Sequence, residues 1–405
     1  MARQRSEAEK RIANLLLTAK ESLGVSAAFL TRMDETTQYL EVMESSVPLP
    51  FEEGHGHPRE ASFCHAVLDG RLPAVMPDVR AFPEAAVLPA VALGVRRFAS
   101  VPVVLSDGTL YGTFCAAGLA SDDEISQRDR ALMEVLAQAA SVIIEPEVRT
   151  RARESEIHDR LNPVVAAGGP VVVLQPIVDL ATGMRKGAEA LSRFPEAWNK
   201  APDVCFAEAH SVGLGHRLEV LALERAADHL KRVSGYIAMN VSPSTLLTRA
   251  CTDLLGHLPV ERILLELSEH DPVEDYDALH AALAPLRARG MRLAIDDVGA
   301  GFSSLRHIVL TAPEVIKLDS SLVTGVNADP VLTVLVRSMV EFAHGCQARV
   351  VAEGVETAED AAALLALGVD CGQGWHFGRP GSPEQLRPWS PVAGDEPGAD
   401  HPAAA

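Results

Sequence analysis

The amino-acid sequence predicts two folded units in tandem, an α+β domain with an antiparallel sheet followed by an α/β barrel. Three observations carry that prediction. The chain has 405 residues, long for a single hydrophobic core. Its first part pairs short alternating apolar runs across tight turn signals, the pattern of an antiparallel sheet. Its second part spaces apolar runs mostly by helix-like segments, as a largely parallel sheet with crossover helices requires, and their number favours closure into a barrel.

Composition narrows the function before any motif is read. Hydrophobic residues make up 47% and charged residues 22%, an ordinary globular balance, so most of the chain is expected to fold. The formal charge of −19 argues against broad binding to nucleic-acid polymers or anionic membranes, and a small anionic ligand would need local cations. The six cysteines, Cys64, Cys115, Cys205, Cys251, Cys346 and Cys371, form no C-x-x-C pair and read as reduced thiols.

In chain order, "MARQRSEAEKRIANLLLTAKESLG" is a charged amphipathic helix without the apolar core and cleavage site of a signal peptide. No apolar run reaches the roughly 18 to 20 residues that span a bilayer. The expectation is a cytoplasmic protein with no membrane insertion. "VSAAFLTRMD" and "QYLEVMESS" form a hairpin pattern. "LPAVMPDV", "FASVPVVLSDG" and "LYGTFCAAGL" follow, the last two joined by the turn signal Ser106-Asp107-Gly108. From Ser126 to about Ile144, Leu132, Val135, Leu136, Ala139 and Val142 recur at helical spacing until Pro146 interrupts them. A charged helical segment then continues. The expected organisation is an α+β domain over 1–145, a helical linker over 146–160, a barrel over 161–389 and a disordered Pro, Gly and Ala-rich tail over 390–405.

Within the barrel region, "GAEALSRFP" places Glu189 in an apolar run that otherwise reads as a buried strand. An unpaired buried carboxylate is costly, so it needs a partner, a metal or a proton. Asn240, Glu266, Asp296, Asp297 and Glu353 recur in or just after comparable runs, and the strand ends of a barrel converge on one face. A single such acid reads equally well as the N-cap of the next helix. Together they point to hard cations such as Mg²⁺, Mn²⁺ or Ca²⁺, and the adjacent Asp296 and Asp297 suggest two ions sharing a ligand. Lys317, with Asp319 as its expected partner, adds a cation; alone it reads as a salt-bridge residue.

With those residues assembled, the stretch from about Val171 to Pro380 resembles the EAL family of cyclic di-GMP phosphodiesterases. The resemblance runs through "LQPIVDLATG", "EALSRF", "NVSP", "ELSE", "DDVGAGFSSL", "IKLD", "AEGVE" and "QGWHFGRP", in that order. It implies a TIM-like barrel that hydrolyses cyclic di-GMP to linear pGpG with two Mg²⁺ or Mn²⁺ ions. By matched positions, Glu189, Asn240, Glu266 and Asp296 would hold one ion, and Asp296, Asp297 and Glu353 the other. Lys317 would orient a water or stabilise charge, and Glu356 and Gln373 would border the nucleophile and substrate. Gln175, Leu191, Arg193 and Asp319 would line the dinucleotide, although Arg193 could instead pair with a neighbouring carboxylate.

"DDVGAGFSSL" resembles the family's loop between the metal site and a dimer interface, with Gly299, Gly301 and Ser303 in the loop and Glu269 anchoring it. The sequence departs from the family at Val298, where an aromatic is usual, and at Ala300, where threonine is common. The first part resembles a GAF domain through "FCHAVLDGRLPAVMPDV" and "VPVVLSDGTLYGTFCAAG", which leaves its ligand unknown. Cys64-His65 could attach a bilin or ligate haem; the simpler reading is packed core residues in a helix. The combined expectation is an α/β TIM-like barrel of EAL type preceded by an α+β GAF-like domain, acting as a homodimeric phosphodiesterase regulated through the linker. A non-catalytic cyclic di-GMP receptor that signals to a partner is the alternative.

Overall fold

The computed structural model describes residues 5–121, 127–268, 272–299 and 304–386. Glu269, Ala300, Gly301, Ser303 and the tail 390–405 lie outside the described residues. The chain divides into two compact units, Met1–Arg153 and Glu154–Ala405.

In the first unit the alternating runs form strands β1 (Ala27–Met33), β2 (Thr37–Ser45), β3 (Gly56–Pro58), β4 (Val75–Met76), β5 (Arg97–Val104) and β6 (Leu110–Gly118). They pair antiparallel in the order β3-β2-β1-β6-β5-β4. Because side chains alternate along a strand, β1, β4, β5 and β6 each face two cores. Phe114 and Ala116 of β6 join Leu30, Val42, Val101 and the helix Glu7–Ser22 in one cluster. Cys115 and Ala117, one residue out of phase, join Phe63, Met76 and Phe98 in the other. The helix Glu7–Ser22 opens with a capping box, in which Ser6 and Glu9 satisfy each other's backbone N–H.

The long helix corrects two expectations. It is continuous over Gln127–Ala166, passing through Pro146 and taking in residues 146–160. Proline removes one backbone donor and crowds the preceding turn, a cost of about 3 kcal/mol that a 40-residue ladder, packed before residue 149 and again from Ile157, can absorb. Its buried face is Met133, Leu136, Ala137, Ala140 and Ile144, whereas Val135 and Val142 of the expected stripe are exposed. Two apolar stripes at helical spacing compete here, and packing on the sheet selects between them. Further along, Ile157, Leu161 and Val165 pack with Ala209 and Leu218 in the second unit.

The second unit closes a barrel from β7 (Val171–Asp179), β8 (Arg185–Arg193), β9 (Tyr236–Asn240), β10 (Ile263–Ser268), β11 (Arg292–Val298), β12 (Val315–Leu318), β13 (Arg349–Ala352) and β14 (Cys371–Gly372). Neighbours are parallel except at β7, which runs antiparallel to both β8 and β14. The segment between β7 and β8 is too short for a crossover, which needs a dozen or more residues. It forms a tight turn in which Asp179 accepts from the Thr182 N–H and hydroxyl. Elsewhere helices such as Gly215–Ala227, Tyr276–Arg287 and Pro330–Gly345 make the crossovers.

Candidate active site

The strand period builds the site. One layer inside the barrel is apolar: Ile177, Tyr236, Ala238, Leu264, Ala294, Val315, Val351 and Cys371 form one cluster. Two residues further toward the same end of each strand, the same face carries Gln175, Asn240, Glu266, Asp296, Lys317, Glu353 and Gln373, with Glu189 contributed by β8. Gly187, two residues before Glu189, leaves room for Tyr236, whose ring would lie 2.8 Å from an added Cβ. The polar ring thus stands on an apolar floor.

Lys317 is its centre. The side chain is fully buried, and Nζ lies 2.6 Å from Glu353, 2.9 Å from Asp296, 3.0 Å from Glu266 and 3.5 Å from Glu189. Burial disfavours the ammonium, yet the carboxylates, led by Asp296, hold its pKa well above the lysine range. Burial pushes Glu266 well above the carboxylate range and Glu353 up to about 8, each only partly offset by Lys317. Glu189 is also opposed by burial but ends below its ordinary value, because Lys317 faces it and Gln373 and Asn240 donate to it. Asn240 Nδ2 lies 3.0 Å from Glu189 Oε1, and Gln373 Nε2 lies 2.5 Å from Glu189 Oε2.

One lysine does not balance this ring. Carboxylate oxygens of Glu189, Glu266 and Asp296 lie within 4.8 Å of one another, as do those of Asp296, Asp297 and Glu353. Glu266 Oε1 and Gln373 Oε1 are buried with no hydrogen-bond partner among the described residues. Surplus oxygen acceptors around a buried, acid-rich point are the donor set of a hard divalent cation. The residues therefore fit such ions. Asp297 reaches the second group through local backbone geometry: its φ is +58°, its N–H donates to Asp296 Oδ1 at 2.9 Å, and the β11–β12 register shifts between Ile295 and Val298. A left-handed non-glycine residue in a strand is costly and recurs at functional sites.

The remaining predicted residues divide. Gln175 joins the ring, accepting from Gln373 at 3.1 Å and donating to the Gly378 carbonyl at 3.2 Å. Leu191 and Arg193 are half-buried near the end of β8, and Arg193 donates to the Ser192 carbonyl at 2.9 Å. Among the described residues no carboxylate pairs with Arg193. Asp319 is not the partner of Lys317: it caps the short helix Ser320–Val323, accepting from the Ser321 N–H at 2.9 Å, while the ammonium sits at the level of the four other acids. Glu356 is exposed and makes no hydrogen bond or ion pair with the ring among the described residues. Gly299 has φ +127°, and an added Cβ would meet Leu322 at 2.3 Å, so both backbone and space require glycine.

One network escaped sequence reasoning. Glu219, buried in the helix Gly215–Ala227, accepts from the Ser242 N–H at 2.8 Å and the Ser242 hydroxyl at 3.0 Å, and also pairs with His210. Ser242 in turn caps the helix Pro243–Leu246 two residues after Asn240. Glu219 thereby pins the loop that presents Asn240. Its signal was the one that exposed Glu189, an acid in an apolar run, "LEVLAL".

Comparison with known proteins gives this architecture its class. Residues 158–380 match the EAL domain and residues 6–145 match the GAF domain. The chain belongs to the EAL domain family, with a GAF domain preceding the barrel. Similar proteins include the probable cyclic di-GMP phosphodiesterase PdeB of Escherichia coli, 29% identical over 257 residues, covering 60% of this chain and 49% of PdeB. An uncharacterized protein of Mycobacterium tuberculosis is 32% identical over 233 residues, covering 53% of this chain and 37% of its own length. The chain thus matches half or less of the length of these two relatives. The solved EAL domain of Xanthomonas citri FimX, in complex with c-diGMP, is 18% identical with a TM-score of 0.52, covering 58% of this chain and 96% of that one, and shares the fold. The manganese/cy-diGMP complex of Klebsiella pneumoniae BlrP1 is 31% identical with a TM-score of 0.47, covering 52% of this chain and 56% of that one. No described helix is long and apolar enough to cross a membrane.

Proposed function

We propose that the barrel hydrolyses cyclic di-GMP to linear pGpG with two divalent ions, Mg²⁺ or Mn²⁺. The observation that carries the reading is the ring of acids around one buried lysine, with Glu266 Oε1 lacking a hydrogen-bond partner among the described residues. The name of PdeB and membership of the EAL family support the same chemistry. Glu189, Asn240, Glu266 and Asp296 would hold one ion, and Asp296, Asp297 and Glu353 the other. Bound there, the ions would supply a water acidic enough to attack phosphorus and would neutralise charge on the phosphodiester. In the balanced reaction water adds to phosphorus, the bond to the 3′ oxygen breaks, and that oxygen takes up a proton.

The chain's own groups prepare this step. Lys317 neutralises part of the acidic ring and holds its carboxylates at fixed positions. Gln373 and Asn240 orient Glu189 through both its oxygens. Gln175, Leu191 and Arg193 would line the dinucleotide, with Arg193 offering the cation that a phosphate needs in an acidic protein. The GAF domain would adjust the rate through the helix Gln127–Ala166, in a cytoplasmic homodimer.

The test is product formation by the purified protein with Mg²⁺, Mn²⁺ or chelator. Metal-dependent pGpG is expected, and Glu189→Ala should lower its rate by about two to three orders of magnitude, the scale of removing one group that stabilises the transition state. Nucleotide binding without product under every metal would overturn hydrolysis and leave the receptor reading.

A further inference from the structure

The first unit holds a second buried polar centre, unrelated to the acidic ring. Cys64 is the second residue of the helix Phe63–Leu68, and Cys115 lies in the middle of β6. The strand period turns Cys115 away from the Phe114 side of the sheet and toward this helix, so residues 51 positions apart bring their sulfurs to 3.2 Å. Both side chains are buried, at 2% and 0% exposure. A disulfide bond of about 2.05 Å would require the sulfurs to close by roughly 1.2 Å.

The surroundings are polar. Gln38 Nε2 donates to Cys64 Sγ at 3.3 Å, Cys115 Sγ donates to Thr113 Oγ1 at 3.1 Å, and the Ser100 hydroxyl lies 3.3 Å from Cys115 Sγ. Thr113 is held by Thr31 at 2.7 Å. These groups make the two thiols unequal. The contact with Cys115, opposed by burial and aided by Thr113, Gln38 and Ser100, brings Cys64 down to about 7. Burial and the neighbouring Cys64 push Cys115 well up. Elsewhere burial alone leads, raising Cys251 to about 12 and Cys371 to about 11.

We propose that Cys64 and Cys115 are a peroxide-oxidisable pair that forms an intramolecular disulfide inside the first unit. Cys64 is the nucleophile and Cys115 the resolving thiol. The Cys64 thiolate attacks one oxygen of hydrogen peroxide. The O–O bond breaks, Cys64 becomes a sulfenic acid, and the departing hydroxide takes a proton to leave as water. Cys115 sulfur then attacks Cys64 sulfur; the S–O bond breaks, the S–S bond forms, and the leaving hydroxide takes the Cys115 proton as a second water. Two thiols are oxidised, one peroxide is reduced to two waters, and the product ties the helix Phe63–Leu68 to β6. This site does not depend on what the barrel does.

The experiment treats the reduced full-length protein with hydrogen peroxide and counts thiols after denaturation. The expected result is a fall from six thiols to four, a mass lower by two hydrogens, and a dithiothreitol-sensitive peptide pair joining Cys64 to Cys115. In Cys115→Ser, oxidation should stop at the sulfenic acid of Cys64, trapped by dimedone. Six persisting thiols, or oxidation confined to the exposed Cys346 or to a bond between two chains, would overturn the proposal. The wild-type thiol count decides the matter even if the variant does not fold.

Discussion

Both units bury polar groups, and the two centres are built on opposite principles. Around Cys64 and Cys115 the partners are hydroxyls, an amide and thiols, which donate and accept among themselves, and only Cys64, brought down to about 7, ionises near neutral pH. Around Lys317 a single ammonium faces four acids, and Glu266 Oε1 is buried with no hydrogen-bond partner among the described residues. The first cluster also leaves an acceptor over, since Gln38 Oε1 is buried with no hydrogen-bond partner among the described residues. What separates the two is charge: acids that outnumber their one ammonium call for further cations, whereas a mostly uncharged cluster does not.

The sharpest way to break this contrast is to remove the central cation. Lys317→Met leaves buried acids without their partner, and destabilisation of about 3–5 kcal/mol is expected in chelator by denaturant titration. Mg²⁺ should restore part of that loss; an unchanged midpoint in chelator would show that the ammonium does not hold the ring together.

Acidity gives the next largest effect. Glu353 has a folded pKa of about 8 against 4.5 in the unfolded chain, so between those values the folded state holds a proton that the unfolded state releases. Stability of the metal-free protein should therefore fall as pH rises from about 5 to 8, by an amount on the order of a few kcal/mol. Glu189, shifted downward, acts only below its ordinary value, and Lys317, shifted upward, only above the lysine range. Divalent ions favour the ionised acids, so their stabilising effect should grow across the same window. Thermal melts with and without Mg²⁺ would check both slopes.

Smaller effects sharpen the comparison. Glu219→Ala frees the Ser242 loop that presents Asn240, and metal affinity should weaken by about 10- to 100-fold, the range for groups that orient ligands. A metal titration reads this directly; an unchanged midpoint would reduce Glu219 to a packing role. Cys115→Ser replaces one neutral hydrogen-bonding group by another, and its effect on stability should stay within about 1 kcal/mol. A much larger loss would mean that the neutral cluster is as finely balanced as the charged one.

Much of the site was legible because its signal is local. A carboxylate in an apolar run is costly wherever the run folds, so Glu189, Glu266 and Asp296 could be singled out one strand at a time. Asp319 shows the limit of that logic, since the acid after a strand there is a helix cap. Val135 and Val142 show it in the helix, where spacing allowed two faces and the sheet chose the other.

By itself the sequence determined the tandem of an antiparallel sheet and a barrel, the strands that carry acids, and the turn signal at Ser106-Asp107-Gly108, because alternation, helical spacing and turn chemistry act over a few residues. Only the tertiary structure decided the reversed direction of β7, the four partners of Lys317, the clamp of Glu219 on Ser242 and the meeting of Cys64 with Cys115. Those depend on which strand faces close on one another, and contacts between residues far apart in the chain have no local period to announce them.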